Sequence, residues 1–224
     1  MNYEQLYEGK QDNYYDHSRA EILPFVPLTV RTALDVGCSN GAFGASLKSQ
    51  RDCKLWGIEP NKQAALEAEK KIDKVINGLF VKGMPELAGQ KFDAVFFNDV
   101  LEHLAAPEDA VNYCRDLLNP GGYIIASIPN IRWYPVMLSL LRYKDFKYED
   151  AGVMDKTHMR FFTLKSMRRL FESNDYQIIK AEGINKHSHF TFFNILNFLL
   201  FKSQEDMKYP QFVIVACLSD ARKN

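Results

Sequence analysis

Short apolar runs alternate with amphipathic segments through most of the chain. The stretch 32–44 opens with such a run, and Lys54–Glu59 and Phe92–Asn98 are further runs with the length of buried strands. A helix that ends near Gln50 is predicted after the first apolar run, and a second helix is predicted over 61–71, after the second run. The stretch 61–71 is rich in strong helix formers. Strands that alternate with helices predict an α/β fold with a parallel, doubly wound sheet.

The second half of the chain extends this pattern. Residues 74–79 predict a third strand, and a helical repeat over 108–118 precedes a fifth strand at 123–128. Residues 176–184 and 212–218 predict two more strands near the end of the chain. Five strands with intervening helices are enough for an open parallel sheet, to which the last two strands would be added.

A glycine-rich turn joins the first strand to the helix after it. Gly37, Gly41 and Gly44 follow the spacing G-x-x-x-G-x-x-G, and Asp35 ends the strand. Glycine lets a ligand approach the backbone, and the free N–H groups at the helix start face that ligand. A dinucleotide turn has the spacing G-x-G-x-x-G, and an acid here would repel a diphosphate. The turn therefore favours an adenosine ligand that carries a positive charge.

Three motifs carry a resemblance to a known family. Residues 35–41 (DVGCSNG) resemble the first motif of class I S-adenosylmethionine-dependent methyltransferases, D/E-x-G-x-G-x-G, with Ser39 at the usual place of the middle glycine. Residues 99–104 (DVLEHL) and 117–130 (LLNPGGYIIASIPN) are similar to the family's fourth and fifth motif regions. The resemblance implies S-adenosylmethionine as cofactor, a methyltransferase, and one Rossmann-like domain over 1–224. Its sheet would have seven mostly parallel strands, with the last strand antiparallel.

The cofactor site follows from strand ends and from this resemblance. Glu59 ends the second strand, and dinucleotide folds place a ribose-binding acid there, about 20 residues after the glycine turn. A carboxylate can accept hydrogen bonds from both ribose hydroxyls. By the resemblance, Tyr15 covers the cofactor, Arg19 holds its carboxylate, Asn98 meets its amine and Leu79 flanks adenine. The further residues expected to bind it are Asp35, Gly37, Cys38, Ser39, Gly41, Phe43, Pro60 and Asp99.

Residues 155–163 (DKTHMRFFT) form the most informative stretch for the acceptor. They resemble a subset of small-molecule and sugar methyltransferases, in which this segment crosses the sheet edge near the substrate. A hydroxyl acceptor has to lose its proton, and histidine is a suitable base near neutral pH. We therefore expect His158 to be the base, Asp155 to orient it and Arg160 to hold an anionic part of the substrate. His103, in the motif at 99–104, is the alternative base.

Asp99 and Glu102 stand three residues apart in that fourth motif. An acid at the start of a short helix and a glutamate three residues later resemble a capping arrangement. The same segment leaves the carboxyl edge of the sheet beside the glycine turn, where open α/β sheets bind ligands.

Segments outside the sheet would select the acceptor. The insertion at 131–160, with Trp133 and Tyr134 as expected substrate residues, predicts a lid over the substrate or a helix that merely covers the sheet. The insertion at 185–208 contains an apolar helix at 190–201. Such a helix must bury against the sheet, a second subunit, a lipid-bearing substrate or a membrane interface. Residues 1–31 are expected to form a helical or irregular lead-in.

Composition narrows the function class. The chain has 224 residues and zero net charge, so a broad basic surface for nucleic acid is absent. The four cysteines form no C-x-x-C pair, which argues against a zinc site and a disulfide framework, and we expect no bound metal. No signal-peptide core and no apolar run of about 20 residues is present, so we expect a soluble, cytoplasmic protein without a transmembrane segment.

The sequence therefore predicts O-methylation of a small molecule or of a sugar or glycan precursor. Three alternatives stay open. They are an N-methyltransferase of a small metabolite, a non-catalytic methyltransferase-like binding subunit, and a nicotinamide dehydrogenase, which would need the glycine spacing that this turn lacks.

Overall fold

A seven-stranded sheet forms the centre of the part of the chain that the structure, a computed structural model, describes: residues 18–186, 197 and 203–218. The strand order is β3-β2-β1-β4-β5-β7-β6. Strands β1 to β5 are parallel, whereas β7 is antiparallel to both β5 and β6. The predicted fold class is confirmed. The strands are β1 (Thr32–Val36), β2 (Lys54–Glu59), β3 (Lys74–Asn77), β4 (Phe92–Asn98), β5 (Leu118–Pro129), β6 (Tyr176–Ile184) and β7 (Gln211–Leu218).

Helices connect these strands in the order that the sequence predicts. The α-helices are α1 (Ala42–Gln50), α2 (Lys62–Ala68), α3 (Pro107–Leu117), α4 (Tyr134–Tyr143) and α5 (Leu164–Glu172). Short 3₁₀ segments occur at Ala20–Phe25, Pro85–Leu87, Leu101–His103 and Glu205–Lys208. Two predicted elements are longer than observed, because 61–71 becomes the shorter α2 and 74–79 becomes the four-residue β3.

The hydrophobic core lies on both faces of the sheet. Phe97 and Leu34 belong to the cluster on one face, whereas their neighbours Phe96 and Ala33 belong to the cluster on the other face, and all four are fully buried. Successive residues of a strand point to opposite faces. A central parallel strand therefore has to be apolar at nearly every position, which is why these strands appear as continuous apolar runs.

The segment before α5 is fixed at its carboxyl end by a helix cap and by a hydrogen bond from the residue that follows the extension of β5. Thr163 and Ser166 form a capping box, in which Thr163 Oγ1 accepts from the Ser166 N–H at 3.2 Å and Ser166 Oγ accepts from the Thr163 N–H at 2.9 Å. The Ile131 N–H donates to the carbonyl of Phe162 at 2.9 Å, just beyond the end of β5. The predicted cap at Thr163 is confirmed, and residues 155–163 lie beside the carboxyl end of β5.

The insertion after β5 is half exposed. Helix α4 contains no buried residue, and Leu141 and Tyr143 are strongly exposed. Its role as a substrate lid stays a prediction. The predicted apolar helix at 190–201 lies outside the described residues except for Asn197, as does Tyr15. Within the described ranges, no helix has the length and apolar character needed to span a membrane.

Candidate functional site

A cavity of about 380 Å³ opens at the carboxyl ends of the central strands, where the strand order reverses between β1 and β4. Open α/β sheets bind their ligands at this position. Most of the cofactor residues predicted from sequence line the cavity together with the predicted catalytic residues His103, Asp155 and His158. The cofactor residues found there are Arg19, Asp35, Gly37, Cys38, Ser39, Phe43, Glu59, Pro60, Leu79, Asn98 and Asp99.

Two glycines give the turn after β1 its shape. Gly37 has a φ of +70°, and a Cβ atom there would lie 2.7 Å from Cγ2 of Val100. Gly41 has a φ of +77°, and a Cβ atom there would lie 3.0 Å from Cα of Ala68. Gly41 was predicted to bind the cofactor, but it is not among the residues that line the cavity. Its lack of a side chain allows the turn to pack against α2.

Glu59 is held by the turn that it faces. Its Oε2 accepts the Ser39 N–H at 2.9 Å, and its Oε1 accepts the Asn61 N–H at 2.8 Å. The residue is 6% exposed, and this burial raises the pKa of the carboxyl group while the two N–H groups oppose the rise. Each carboxylate oxygen has two lone pairs, and each uses one on the backbone. One lone pair on each oxygen is left for a diol.

Asp35 and Asn98 present buried polar atoms that lack a hydrogen-bond partner of good geometry in the described chain. Asp35 is 1% exposed, and in the described chain neither its Oδ1 nor the Oδ1 and Nδ2 of Asn98 has a hydrogen-bond partner. Burial raises the pKa of Asp35 to about 8; the charge of Glu59 adds to the rise and the Asn98 side chain opposes it. Buried polar groups are rarely left unpaired, so these atoms indicate a ligand with both donors and acceptors.

Arg19 and Asp99 form an ion pair at the cavity wall. Asp99, at a φ of +55°, also accepts a hydrogen bond from Nε2 of Gln211 and one from Oγ of Ser127, the latter at 3.4 Å. The predicted capping role of Asp99 is wrong. The 3₁₀ segment Leu101–His103 has no side-chain cap, because the carboxylate of Asp99 points to these partners instead.

The two candidate bases are neighbours. The ring centroids of His103 and His158 lie 4.8 Å apart, with the rings close to perpendicular. Nδ1 of His158 lies 3.2 Å from the carbonyl oxygen of Val153, and Nδ1 of His103 lies 3.1 Å from that of Thr157. A backbone carbonyl can only accept, so each Nδ1 carries the proton and each Nε2 carries the lone pair.

Asp155 shapes the turn that carries His158. It is 2% exposed, and its Oδ1 accepts hydrogen bonds from the N–H and the Oγ1 of Thr157 at 2.8 and 2.7 Å. The His158 N–H donates to the carbonyl of Asp155 at 3.0 Å. Orientation of the His158 ring by the Asp155 carboxylate stays a prediction.

Glu102 is the cavity residue that sequence reasoning missed. It is 1% exposed, and in the described chain neither carboxylate oxygen has a hydrogen-bond partner. Burial raises its pKa to about 8, with Asp155 adding to the rise and Arg19 opposing it. Glu102, His103 and His158 offer ligand atoms that lie within 4.8 Å of one another, so the three side chains could hold a metal ion. The signal for this role in the sequence is that Glu102 directly precedes His103.

The three predicted substrate residues do not line the cavity as the structure describes it. Arg160 is exposed and donates from Nε to the carbonyl of Ala105 at 3.0 Å. Its backbone N–H and that of Met159 both donate to the carbonyl of Glu102, which turns the Arg160 side chain away from the cavity. Trp133 and Tyr134, at the start of α4, are not among the lining residues either.

Comparison with known proteins agrees with this site. A family model described as a methyltransferase domain matches residues 7–181. A ubiquinone biosynthesis O-methyltransferase of Alkalilimnicola ehrlichii is 31% identical over 105 residues, which are 45% of this chain and 42% of that protein. A mitochondrial protein of the same name from Dictyostelium discoideum is 24% identical over 71% of this chain and 54% of its own length.

A relative with a different named activity also matches. A tRNA U34 carboxymethyltransferase of Campylobacter hominis is 25% identical over 61% of this chain and 59% of that protein. The matches thus span between 42% and 59% of the length of these three relatives.

Solved structures share the fold. A SAM-dependent methyltransferase from Archaeoglobus fulgidus superposes with a TM-score of 0.71 at 17% identity, over 96% of this chain and 100% of that chain. One from Aquifex aeolicus gives a TM-score of 0.61 at 13% identity, over 97% and 99% of the two chains. The family model, which covers most of the sequence, and the agreement of motifs, sheet order and cavity lead to one conclusion. The chain belongs to the class I S-adenosylmethionine-dependent methyltransferase family.

Proposed function

We propose that the chain transfers a methyl group from S-adenosylmethionine to a hydroxyl group of a small organic molecule. A sugar or glycan precursor is the class that the motif at 155–163 favours. The observation that carries the proposal is the placement of His158 and His103 in the same cavity as Glu59, Asp35 and the glycine turn. A cofactor site and a base in one cavity are what O-methylation of a hydroxyl requires.

The residues present fit the cofactor. Glu59 keeps one lone pair on each carboxylate oxygen for the ribose diol, and the unpartnered atoms of Asp35 and Asn98 suit the amino-acid end. Pro60 and Leu79 offer apolar contact to adenine. When bound, S-adenosylmethionine supplies an electrophilic methyl group on a sulfonium whose leaving group is neutral. The chain has mainly to align the acceptor with that group.

His158 is the proposed base. Its Nδ1 faces the carbonyl of Val153, so Nε2 is the ring nitrogen that would take the proton of the acceptor hydroxyl. Its side chain is only 5% exposed, which keeps bulk water away from that proton. His103 is the second candidate for the same role.

The zero net charge and the cavity volume of about 380 Å³ support a small acceptor over a nucleic acid. An amine acceptor is the alternative, because a neutral amine attacks without prior loss of a proton. The similarity to a protein named for tRNA makes tRNA a necessary comparison substrate.

Methyl transfer from labelled S-adenosylmethionine tests the proposal. The acceptor panel contains hydroxylated metabolites, nucleotide sugars, amines and tRNA. We expect label in a hydroxylated acceptor, and His158→Ala should lower turnover at least about 100-fold, because general bases contribute about 10²–10⁴-fold. Calorimetry should show that cofactor affinity stays near that of the wild type.

Three results would contradict the proposal. Label found only in amines or in tRNA would show that the acceptor is not a hydroxylated small molecule. Normal turnover of His158→Ala would show that His158 is not the base. Stabilisation by S-adenosylmethionine without transfer to any acceptor would favour a non-catalytic binding subunit.

A further inference from the structure

A carboxylate and two imidazoles meet at one wall of the cavity. Glu102 and His103 belong to the 3₁₀ segment after β4, whereas His158 belongs to the loop that precedes α5. Oε1 of Glu102 lies 4.0 Å from Nε2 of His158, and one ligand atom from each of the three residues lies within 4.8 Å of the others. Two backbone hydrogen bonds, from the N–H groups of Met159 and Arg160 to the carbonyl of Glu102, hold the two segments together.

The carboxylate of Glu102 lacks a hydrogen-bond partner within the described chain. It is 1% exposed and lines the cavity, and neither of its oxygens receives a hydrogen bond. A buried carboxylate in that position is costly unless it is paired or coordinates a cation. The side chain therefore indicates a missing positive partner.

Both histidines are oriented as metal-binding histidines usually are. A ligating imidazole normally donates its other ring N–H to a carboxylate, a backbone carbonyl or a water, which fixes the tautomer and the ring direction. Here Nδ1 of His158 faces the carbonyl of Val153, and Nδ1 of His103 faces the carbonyl of Thr157. Thr157 Oγ1 also lies 3.3 Å from Nδ1 of His103 and donates its own proton to Asp155, so it can accept as well.

We propose that Glu102, His103 and His158 bind a divalent transition-metal ion at the wall of the cavity. Two imidazoles with one carboxylate suit Zn²⁺, Co²⁺ or Fe²⁺, whereas Mg²⁺ and Ca²⁺ prefer ligand sets made of oxygen. Three protein ligands leave at least one coordination position open, and the cavity borders this one. An acceptor oxygen bound there would ionise more readily, so in the metal-bound chain the ion would take over the role of the base from His158, whose Nε2 would then be a ligand.

The distances between the three ligand atoms allow an ion to bind after small movements of the side chains. Bonds of about 2.0–2.2 Å to a tetrahedral ion place its ligand atoms roughly 3.4 Å apart. Oε1 of Glu102 and Nε2 of His158 are 4.0 Å apart, and the three ligand atoms lie within 4.8 Å of one another, so side-chain movements of up to about 1.5 Å would bring them to bonding distance of one ion.

The cysteine pattern could not reveal this site. It contains no cysteine, and its ligands come from segments far apart in the chain. The expectation of no metal rested on the absence of C-x-x-C pairs alone.

Titration with Co²⁺ and Zn²⁺ tests the proposal in protein that has been treated with a chelator. We expect one ion per chain by calorimetry, visible absorption bands from bound Co²⁺, and a rise in unfolding temperature with Zn²⁺. Glu102→Gln and His158→Ala should each weaken binding at least about tenfold. Glu67→Gln, which changes an exposed carboxylate on α2 that pairs with Lys70, should bind as the wild type does.

Folding of the variants is checked by their unfolding temperature without metal. Glu102→Gln replaces a buried carboxyl group that has no hydrogen-bond partner in the described chain with an amide of nearly equal volume, so the ligand-free variant should unfold no earlier than the wild type. Absence of Co²⁺ and Zn²⁺ binding, binding unchanged in both variants, or binding of Mg²⁺ alone would overturn the proposal. The titration needs neither S-adenosylmethionine nor an acceptor. A chain that binds the ion but transfers no methyl group would contradict the proposed function and not the metal site.

Discussion

At the scale of single residues, the buried carboxylates of the cavity differ in what satisfies them. Glu59 receives two backbone N–H groups, whereas Asp35 keeps an oxygen without a partner in the described chain. Burial raises the pKa of Asp35 to about 8. The ligand-free chain therefore holds Asp35 mostly protonated at neutral pH, and a ligand that carries an ammonium group has to draw that proton off.

Asp35→Asn tests this interpretation. The amide carries no charge, so we expect the ligand-free variant to unfold at a higher temperature than the wild type at pH 9, by about 2–4 °C per kcal/mol gained. Its affinity for S-adenosylmethionine should fall, because the ammonium group loses its counter-charge. Thermal unfolding with and without the cofactor measures both effects. Asp52→Asn, which changes an exposed side chain, should alter neither. A variant that is less stable than the wild type and binds the cofactor normally would show that Asp35 does not bind the ammonium group.

Glu59→Ala tests the ribose contact. The change removes the acceptors of two backbone N–H groups as well as those of the ribose diol. We expect the dissociation constant for S-adenosylmethionine to rise at least about tenfold, equivalent to about 1.4 kcal/mol. Isothermal calorimetry measures it, with the exposed Glu69→Ala as the matched control. An unchanged affinity would remove Glu59 from the cofactor site.

At the scale of elements, the turn between β1 and α1 and the 3₁₀ segment after β4 depend on each other. A Cβ atom at Gly37 would lie 2.7 Å from Cγ2 of Val100, the residue just before that segment. Val100 in turn precedes the segment that carries Glu102 and His103. A side chain at position 37 would therefore displace the segment that carries Glu102 and His103 as well as the glycine turn itself.

Gly37→Ala separates backbone strain from this steric clash. Gly37 and Gly83 both have a positive φ, of +70° and +88°, but nothing lies within 4 Å of a Cβ atom at Gly83. A left-handed φ costs a non-glycine residue about 1–2 kcal/mol, so Gly83→Ala should lose about that much stability. Gly37→Ala should lose more and should also bind cofactor less tightly. Denaturant unfolding of both variants measures the difference, and equal losses would show that the clash relaxes at no cost.

At the scale of the whole molecule, sequence pattern was sufficient for the sheet and for the cofactor turn. Strands buried on both faces must be apolar throughout, and Glu59 and Asn98 fall at strand ends, so local sequence specifies their place at the sheet edge. The contact of Glu102 with His158 joins residues far apart in the chain, and two backbone hydrogen bonds to the Glu102 carbonyl produce it. Local periodicity carries no information on such a contact. The same hydrogen bonds turn Arg160 outward, which its motif could not reveal.

The stability of the ligand-free molecule should fall as pH rises from about 5 to 8. Burial raises the pKa of Asp35 in the folded chain to about 8, far above the ordinary value of 3.8, so the folded chain holds a proton in this window that the unfolded chain has released. The unfolded state then binds fewer protons, and the free energy of unfolding decreases with pH until Asp35 is ionised in both states. Thermal unfolding across this range measures the slope. The slope should be shallower in Asp35→Asn, and an identical slope in that variant would exclude Asp35 as its source.

The ion pair between Arg19 and Asp99 has a consequence for which nucleosides can enter. A ligand whose tail carries both an ammonium and a carboxylate offers each of these side chains a new opposite charge in exchange for the old one. An adenine nucleoside without that tail has neither an ammonium nor a carboxylate group. It therefore has to leave the ion pair intact or break it without forming new ion pairs. We therefore expect the ion pair to favour ligands with a zwitterionic tail. 5′-Methylthioadenosine, which keeps the adenine and the ribose, should bind far more weakly than S-adenosylhomocysteine.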